Sequence, residues 1–476
     1  MRRTAVSLIA LVFLCGARAS GAAKDISVDS WMSVCMGPAK VGYQHISVAR
    51  DNSEGKDVYR LCEMRATAVR SQGITRRAIY TDTLVLDNNL RPLHGIGEKI
   101  DDGVMTRTVA RFFPDRIECT QTTGSQTVTK SIPIPPGADL SLRPAYVSGR
   151  LAPTAQKSIA SYGLDFYKMA LFHNDLHAVE RKEVTFRGAK RTVLVVRYGE
   201  SKQDLTDWRL DSGEIIRTEI PRLGTLLTAT TREDALAEAP DQDLSRIEAD
   251  KPIRDPSHAR DLTLRLIGIP DKELVISDSR QSAVFDAKDH SATYRIHAAQ
   301  FNPTKSSRLP IKRKALAAYL KPTKGIESND PSIVAQARSI VGDERSAYTA
   351  ACKLAAWVHG NVKQSQSVSA YPSAVAILKE RTGLCRHNAV LYAAMARSIG
   401  IPTRLASGIM YDQGAFAFHT WAESWVGEWV ALDPTFPGEF VDATHVKLMQ
   451  GGVEDLYSMA RVIGRLRAEI APSPRP

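Results

Sequence analysis

Three residues carry the chemistry this chain could do. Cys385 stands in Arg381-Thr382-Gly383-Leu384-Cys385, His419 in His419-Thr420-Trp421-Ala422-Glu423, and Asp433 in Trp429-Val430-Ala431-Leu432-Asp433-Pro434-Thr435. A thiol, an imidazole and a carboxylate in that order, on separate predicted elements, are the parts of an activated sulfur nucleophile.

The flanking residues say how such a trio would be held. Leu391, Met395 and Ile399 recur at helical spacing just after Cys385, and Gly400 and Pro402 end the pattern. This predicts a helix with Cys385 at its N-terminus, where the dipole favours a thiolate and the first amides suit an oxyanion. Residues 404–411, 416–426 and 429–432 read as strands. His419, Trp421, Glu423 and Trp425 then share one strand face. The turn that follows decides where Asp433 points. A two-residue loop at 427–428 would put Asp433 on the face opposite His419. A three-residue loop at 426–428 pairs Trp425 with Trp429, sets Asp433 across from Trp421, and makes it a diagonal neighbour of His419. The chemistry requires an odd-length loop or a bulge here; an even, unbulged hairpin would break the geometry. Cys385 then attacks an acyl carbonyl, His419 moves the proton, and Asp433 fixes the imidazole tautomer.

On these motifs, together with Gly400-Ile401-Pro402-Thr403-Arg404, the chain resembles the bacterial transglutaminase-like superfamily over about residues 329–436. The resemblance implies an α+β, papain-like core, a thioester intermediate, and catalytic roles for Cys385, His419 and Asp433. It implies no cofactor and no metal, and a protein or peptide as substrate. Water as acyl acceptor would give hydrolysis of peptide or glutamine amide bonds; an amine would give a cross-link. The alternative is a non-catalytic envelope binding protein that keeps the same fold. A long Cys385–His419 separation, or a bridge from Cys385 to Cys352, would mark that alternative.

Bulk properties narrow the setting. Hydrophobic residues make 43% and charged residues 24% of the chain, a globular balance that argues against global disorder. Arg2 and Arg3, an apolar stretch at 5–17 and Ala17-Arg18-Ala19 read as a cleavable secretory signal, too short to span a bilayer. Phe13 and Leu14 before Cys15 argue against a lipoprotein. A periplasmic or secreted location is therefore expected. The net charge of +11 suits solubility or contact with an anionic envelope surface. No nucleic-acid motif accompanies it. Past the signal stand Cys35, Cys62, Cys119, Cys352 and Cys385, an odd set in an oxidising compartment. Cys385 is expected to stay unpaired; the other four are equally compatible with two bridges in any of three pairings or with buried thiols.

The expected organisation is a signal peptide at 1–23, a β-rich antiparallel sheet domain at 24–240, a linker and small β segment at 241–310, the thiol domain at 311–448, and a C-terminal helix and disordered tail at 449–476. Within the first domain, 81–86, 104–112, 116–121 and 127–132 read as strands. Asp211-Ser212-Gly213 reads as a hairpin turn, and 154–177 as an interrupting helix. This domain carries no catalytic motif and suits a binding platform for a partner. Helices are expected at 331–340, 345–362, 373–381 and 453–468. His173 and His177, at helical spacing, are a weak zinc candidate lacking a third ligand. His387 is expected at the surface or packing behind the site, and Arg386 in solvent. The Trp421, Trp425 and Trp429 side chains suit either an acyl-donor groove or a core.

Overall fold

A computed structural model of the chain describes residues 27–471, apart from 54, 72, 148, 150, 151, 153, 155–157, 200, 202–203, 366–372 and 437–440. The expected signal at 1–23 and the last residues of the expected disordered tail lie outside the described residues.

The first half is a single 14-stranded antiparallel sheet. From Val28–Met36 the strands that follow extend one way in chain order, ending at Gln126–Pro133. The strands from Ile159–Asp165 onward return on the other side, closing with Thr225–Thr230 beside Val28–Met36. Hairpins set this meander. Asp102 and Gly103 both take positive φ, as do Arg187 and Gly188, the pattern of tight primed turns that match strand twist. Gly213 takes φ 94° between the strands Thr206–Leu210 and Ile215–Ile220. The sheet curls until its two ends meet. Gln121 Nε2 donates to the carbonyls of Phe166 and Tyr167 at 3.2 and 3.1 Å, and Lys130 Nζ to that of Met169 at 2.8 Å.

Among the described residues of 154–177 the expected helix is absent. Strands Ile159–Asp165 and Ala170–Phe186 stand there, joined by a turn at residues 166–169. The apolar residues around that turn mimic a helical spacing, but sheet pairing and burial of Leu164, Phe166 and Met169 among Ala110, Ile117 and Cys119 override it.

The segment after residue 240 does more than link. Arg246–Ile247 pairs with Phe416 and Ala417, extending the sheet that carries His419. Asp261–Ile267, Gln281–Asp286 and Ser291–His297 form a small sheet whose fourth strand is Arg467–Ile470, near the chain's end. The C-terminal helix expected at 453–468 is therefore corrected to a 3₁₀ segment, Asp455–Val462, and that strand. Gly464, at φ 69°, breaks the run. Pairing with Asp261–Ile267 then satisfies a backbone that a lone short helix would leave to water.

The remaining helices have ordinary starts. Asp330, Ser346 and Ser373 cap Pro331–Val341, Ala347–Asn361 and Ala374–Glu380 by accepting from amides of their first turns. All three surround the helix Cys385–Ser398, whose residues from Ala389 to Ala396 are wholly buried. Five small side chains in that stretch, Ala389, Ala393, Ala394, Ala396 and Gly400 just beyond, let neighbours approach closely. A sheet of Arg246–Ile247, Ala415–Trp425, Thr403–Asp412 and Val446–Gly451 packs against this helix, with Trp429–Leu432 on the far end of Ala415–Trp425.

Candidate active site

The helix Cys385–Ser398 begins at the cysteine itself, with Leu384 extended at its cap position. The Leu384 amide donates to His387 Nδ1 at 3.2 Å, and the amides of His387 and Asn388 bond the Leu384 carbonyl at 2.8 and 3.1 Å. His387 is thus buried and closes the first helical turn from behind, where surface exposure was one expectation. Arg386 is half-buried.

Strand register delivers the other two groups. Trp425 pairs with Trp429, Ser424 with Val430 and Ala422 with Leu432, so the connection is the three-residue loop at 426–428. Gly427, at φ 142°, makes the turn. Asp433 then lies diagonally beside His419, and His419 Nε2 donates to Asp433 Oδ2 at 2.6 Å. That leaves Nδ1 as the nitrogen facing the sulfur. The Cys385 side chain hydrogen-bonds His419 and accepts from the Thr420 amide. Among the described residues no disulfide forms, so Cys385 is not bridged to Cys352. Neither mark of the non-catalytic alternative is present.

Electrostatics reinforce the geometry. Burial alone would push the Cys385 thiol up, but the His419 charge and hydrogen bond outweigh it and hold the thiol below its ordinary value. Burial alone would likewise depress His419, yet Asp433 and Cys385 together lift it to about 10. Burial would raise Asp433, but His419 first, and His445 after it, hold its carboxyl far below the usual carboxylate range. The favoured state is a thiolate–imidazolium pair backed by a carboxylate. Such a pair is a nucleophile and a proton donor poised together.

His445 had no sequence signal. Its Nε2 lies 3.2 Å from Asp433 Oδ2, and the Thr435 amide donates to Asp433 Oδ1 at 2.8 Å. Only the tertiary path that returns the chain to strand Val446–Gly451 reveals it. The donor atoms of His419, Asp433 and His445 lie within 4.8 Å of one another, a spacing some metal sites share. Here the short His419–Asp433 hydrogen bond occupies the space a cation would need, and the set fits a proton-bearing network.

The other candidates fall into structural roles. His173 and His177 sit on a strand, where four residues span roughly 13 Å, too far for one ion. His173 instead stacks on Tyr162 at 4.4 Å and lies 3.3 Å from Asp175. Trp421 is wholly buried, and Trp425 and Trp429 meet edge-on at 5.8 Å against the helical core, with Arg404 over Trp429. They pack into the core. Glu423 is buried between Arg404 and Lys447, at 2.7 and 2.6 Å, and ties the sheet together.

Residues 334–434 match the family model of the transglutaminase-like superfamily. Among solved structures, a candidate cysteine protease from Cytophaga hutchinsonii is 16% identical, with 45% of this chain and 90% of that one covered and a TM-score of 0.34. A β-barrel-like protein with a domain of unknown function from Brucella abortus is 9% identical, covering 43% of this chain and 93% of that one, at TM-score 0.32. A candidate protease from Parabacteroides distasonis is 12% identical, covering 73% and 68%, at TM-score 0.20. No curated protein matches the chain.

Proposed function

With residues 334–434 a transglutaminase-like segment, we propose that the chain is an exported thiol enzyme that opens peptide or glutamine amide bonds through a thioester on Cys385. The observation that carries this reading is the hydrogen-bonded run Cys385–His419–Asp433 at a helix N-terminus.

The steps follow from the pairings. The Cys385 thiolate attacks the amide carbon, forming a C–S bond and moving the carbonyl electron pair to oxygen. Amides at the start of the cysteine helix hold that oxyanion. As the C–N bond breaks, His419 Nδ1 gives its proton to the leaving nitrogen, and Asp433 steadies the imidazole throughout. Neutral His419 next takes a proton from the acyl acceptor, which attacks the thioester and releases the sulfur as thiolate. Water as acceptor gives hydrolysis, and a primary amine gives acyl transfer.

Export, to the periplasm or beyond, is supported by the charged start, the apolar stretch at 5–17 and the small residues that follow it. The large sheet, with its interior cavity, suits a platform for the protein or peptide partner, and the basic charge suits an anionic envelope surface. The chain acts without a cofactor in this reading.

The test is to incubate the mature protein with a peptide library, with and without a primary amine, and weigh the products. New fragments, or amine adducts, that vanish in Cys385→Ala support the reading. Equal turnover by the alanine variant would refute it. The mass of the protein recovered from cell fractions tests export: loss of about the first 23 residues is expected.

A further inference from the structure

The carboxylate of Asp433 has a second imidazole that the reaction steps do not use. His445 is 2% exposed, and its ring stands edge-on to Trp421 at 5.4 Å and 90° and to His419 at 5.4 Å and 74°. Wedged between those rings, it faces Asp433 through Nε2, which lies 3.2 Å from Oδ2. The same oxygen accepts from His419 at 2.6 Å, while Oδ1 is taken by the Thr435 amide at 2.8 Å. The carboxylate is thus held at both oxygens and cannot turn without losing a partner.

His445 is itself gripped from two directions. Its own turn is closed by Asp442, whose Oδ1 accepts from the Thr444 amide and hydroxyl at 2.8 and 2.6 Å and lies 3.2 Å from His445 Nδ1. From the small sheet, the buried Arg280 guanidinium donates to the carbonyls of Asp442 and His445 and, at 3.3 Å, to that of His297. Gln281 beside it exchanges two 2.8 Å bonds with the Lys447 backbone. Two consecutive residues of a segment far from the motifs therefore clamp the backbone that presents His445. A turn needing only to close a loop would not require a buried arginine spent on three carbonyls.

We propose that His445 is a positioning residue of the active site: its Nε2–H, held in place by Arg280 and Asp442, fixes Asp433 Oδ2 so that the carboxylate stays aligned on His419. This rests on the thiol-enzyme reading above. Removing the second donor leaves Oδ2 with one partner and lets the carboxylate rock. His419 then loses the fixed orientation that brings Nδ1 to Cys385, and the loss falls on the chemical step and not on substrate binding. Hydrogen-bond partners behind metal ligands matter by ~10–100-fold, and an effect on that scale is expected for this partner behind a catalytic imidazole.

The experiment compares His445→Gln with His445→Asn in the full chain. Glutamine carries its amide nitrogen about where Nε2 lies; asparagine is too short to reach Asp433. Two readouts are taken: kcat and KM on an amide substrate, and the rate at which iodoacetamide labels Cys385 at pH 7, read by peptide mass. Expected are a fall of ~10-fold or more in kcat and in labelling rate for asparagine, an almost unchanged KM, and recovery of most of both by glutamine. Equal behaviour of the two variants, whether both active or both impaired, would overturn the proposal. The labelling arm needs no turnover. If the wild type and Cys385→Ala are equally inactive on every amide, the enzyme reading fails, while the glutamine–asparagine contrast in labelling still decides what His445 does.

Discussion

Two aspartates shielded from water, one half-buried in the large sheet and one buried beside the cysteine helix, are driven in opposite directions. Asp82 faces a cavity of about 230 Å³ lined by Glu63, Arg143, Phe166 and Phe172, and accepts from the Tyr167 hydroxyl at 2.7 Å. Burial dominates there and pushes its carboxyl up to about 6. Asp207, deeper in the same sheet, accepts hydroxyl bonds from Thr218, Tyr198 and Tyr146 and is still raised by burial. Asp433 is equally removed from water, yet its carboxyl is held far down by His419 and His445. Hydroxyl donors ease the desolvation of a carboxylate without reversing it; a cationic partner at 2.6 Å reverses it. Both regions bury titratable clusters. The cysteine-helix region joins one to the Cys385 sulfur, and there the pairing with a cation is the sign to look for.

The largest effects fall on the site. Cys385→Ala is expected to cost at least ~10³-fold in kcat with an unfolding midpoint near wild type in thermal scans, and Asp433→Asn ~10²–10⁴-fold through the wrong imidazole tautomer, with a lowered midpoint because the buried pair with His419 is lost. Asp82→Asn, by contrast, should leave kcat unchanged within ~2-fold. A large loss on Asp82→Asn would break the comparison.

Stability sharpens it from the other side. In the folded chain Asp82 keeps its proton up to about 6, while its ordinary value is 3.8. Between about pH 4 and pH 6 the folded state therefore binds the proton more strongly, and stability falls as pH rises through that window. By linkage the fall is on the order of 3 kcal/mol. Urea unfolding at pH 4.5 and 7 should show it in the wild type and show much less of it in Asp82→Asn. Asp433 has the opposite sign. Its contribution is present above the ordinary carboxylate range and is lost only as pH falls toward its depressed value. His419, lifted to about 10, contributes fully below about 6.5 and loses its share between there and about 10.

The smallest effect is expected at His173 and His177, which share a strand and no ligand geometry. Replacing both by alanine should change zinc content, measured by elemental analysis, not at all, and activity by less than ~2-fold.

Much of the site was legible in the sequence because its logic is local. The period of two along Ala415–Trp425 and the need for His419 and Asp433 to meet demanded an odd loop, and Trp425 does pair with Trp429. One hairpin of the large sheet announced itself in the same way, through the turn Asp211-Ser212-Gly213. What escaped was set by distant partners. The stretch 154–177 has helical spacing but lies between strands, and 453–468 is cut at Gly464 and pairs with a strand some 200 residues earlier in the chain. His445 stands in no motif and gains its place only because Arg280 and Gln281 reach it from the small sheet. Residue types and spacing name the reacting groups; they are silent about contacts that only the finished fold creates.

The central claim is that Cys385 is a thiolate held by an imidazolium, and the pH dependence of its alkylation tests this most directly. Iodoacetamide labelling of Cys385, resolved from the other cysteines by peptide mass, should already be near its maximal rate at pH 7. It should fall only in acid, and His419→Ala, which leaves burial unopposed, should move the curve to the ordinary thiol value of 9.0 or above. A wild-type curve that already follows an ordinary thiol, unchanged by His419→Ala, would contradict the account.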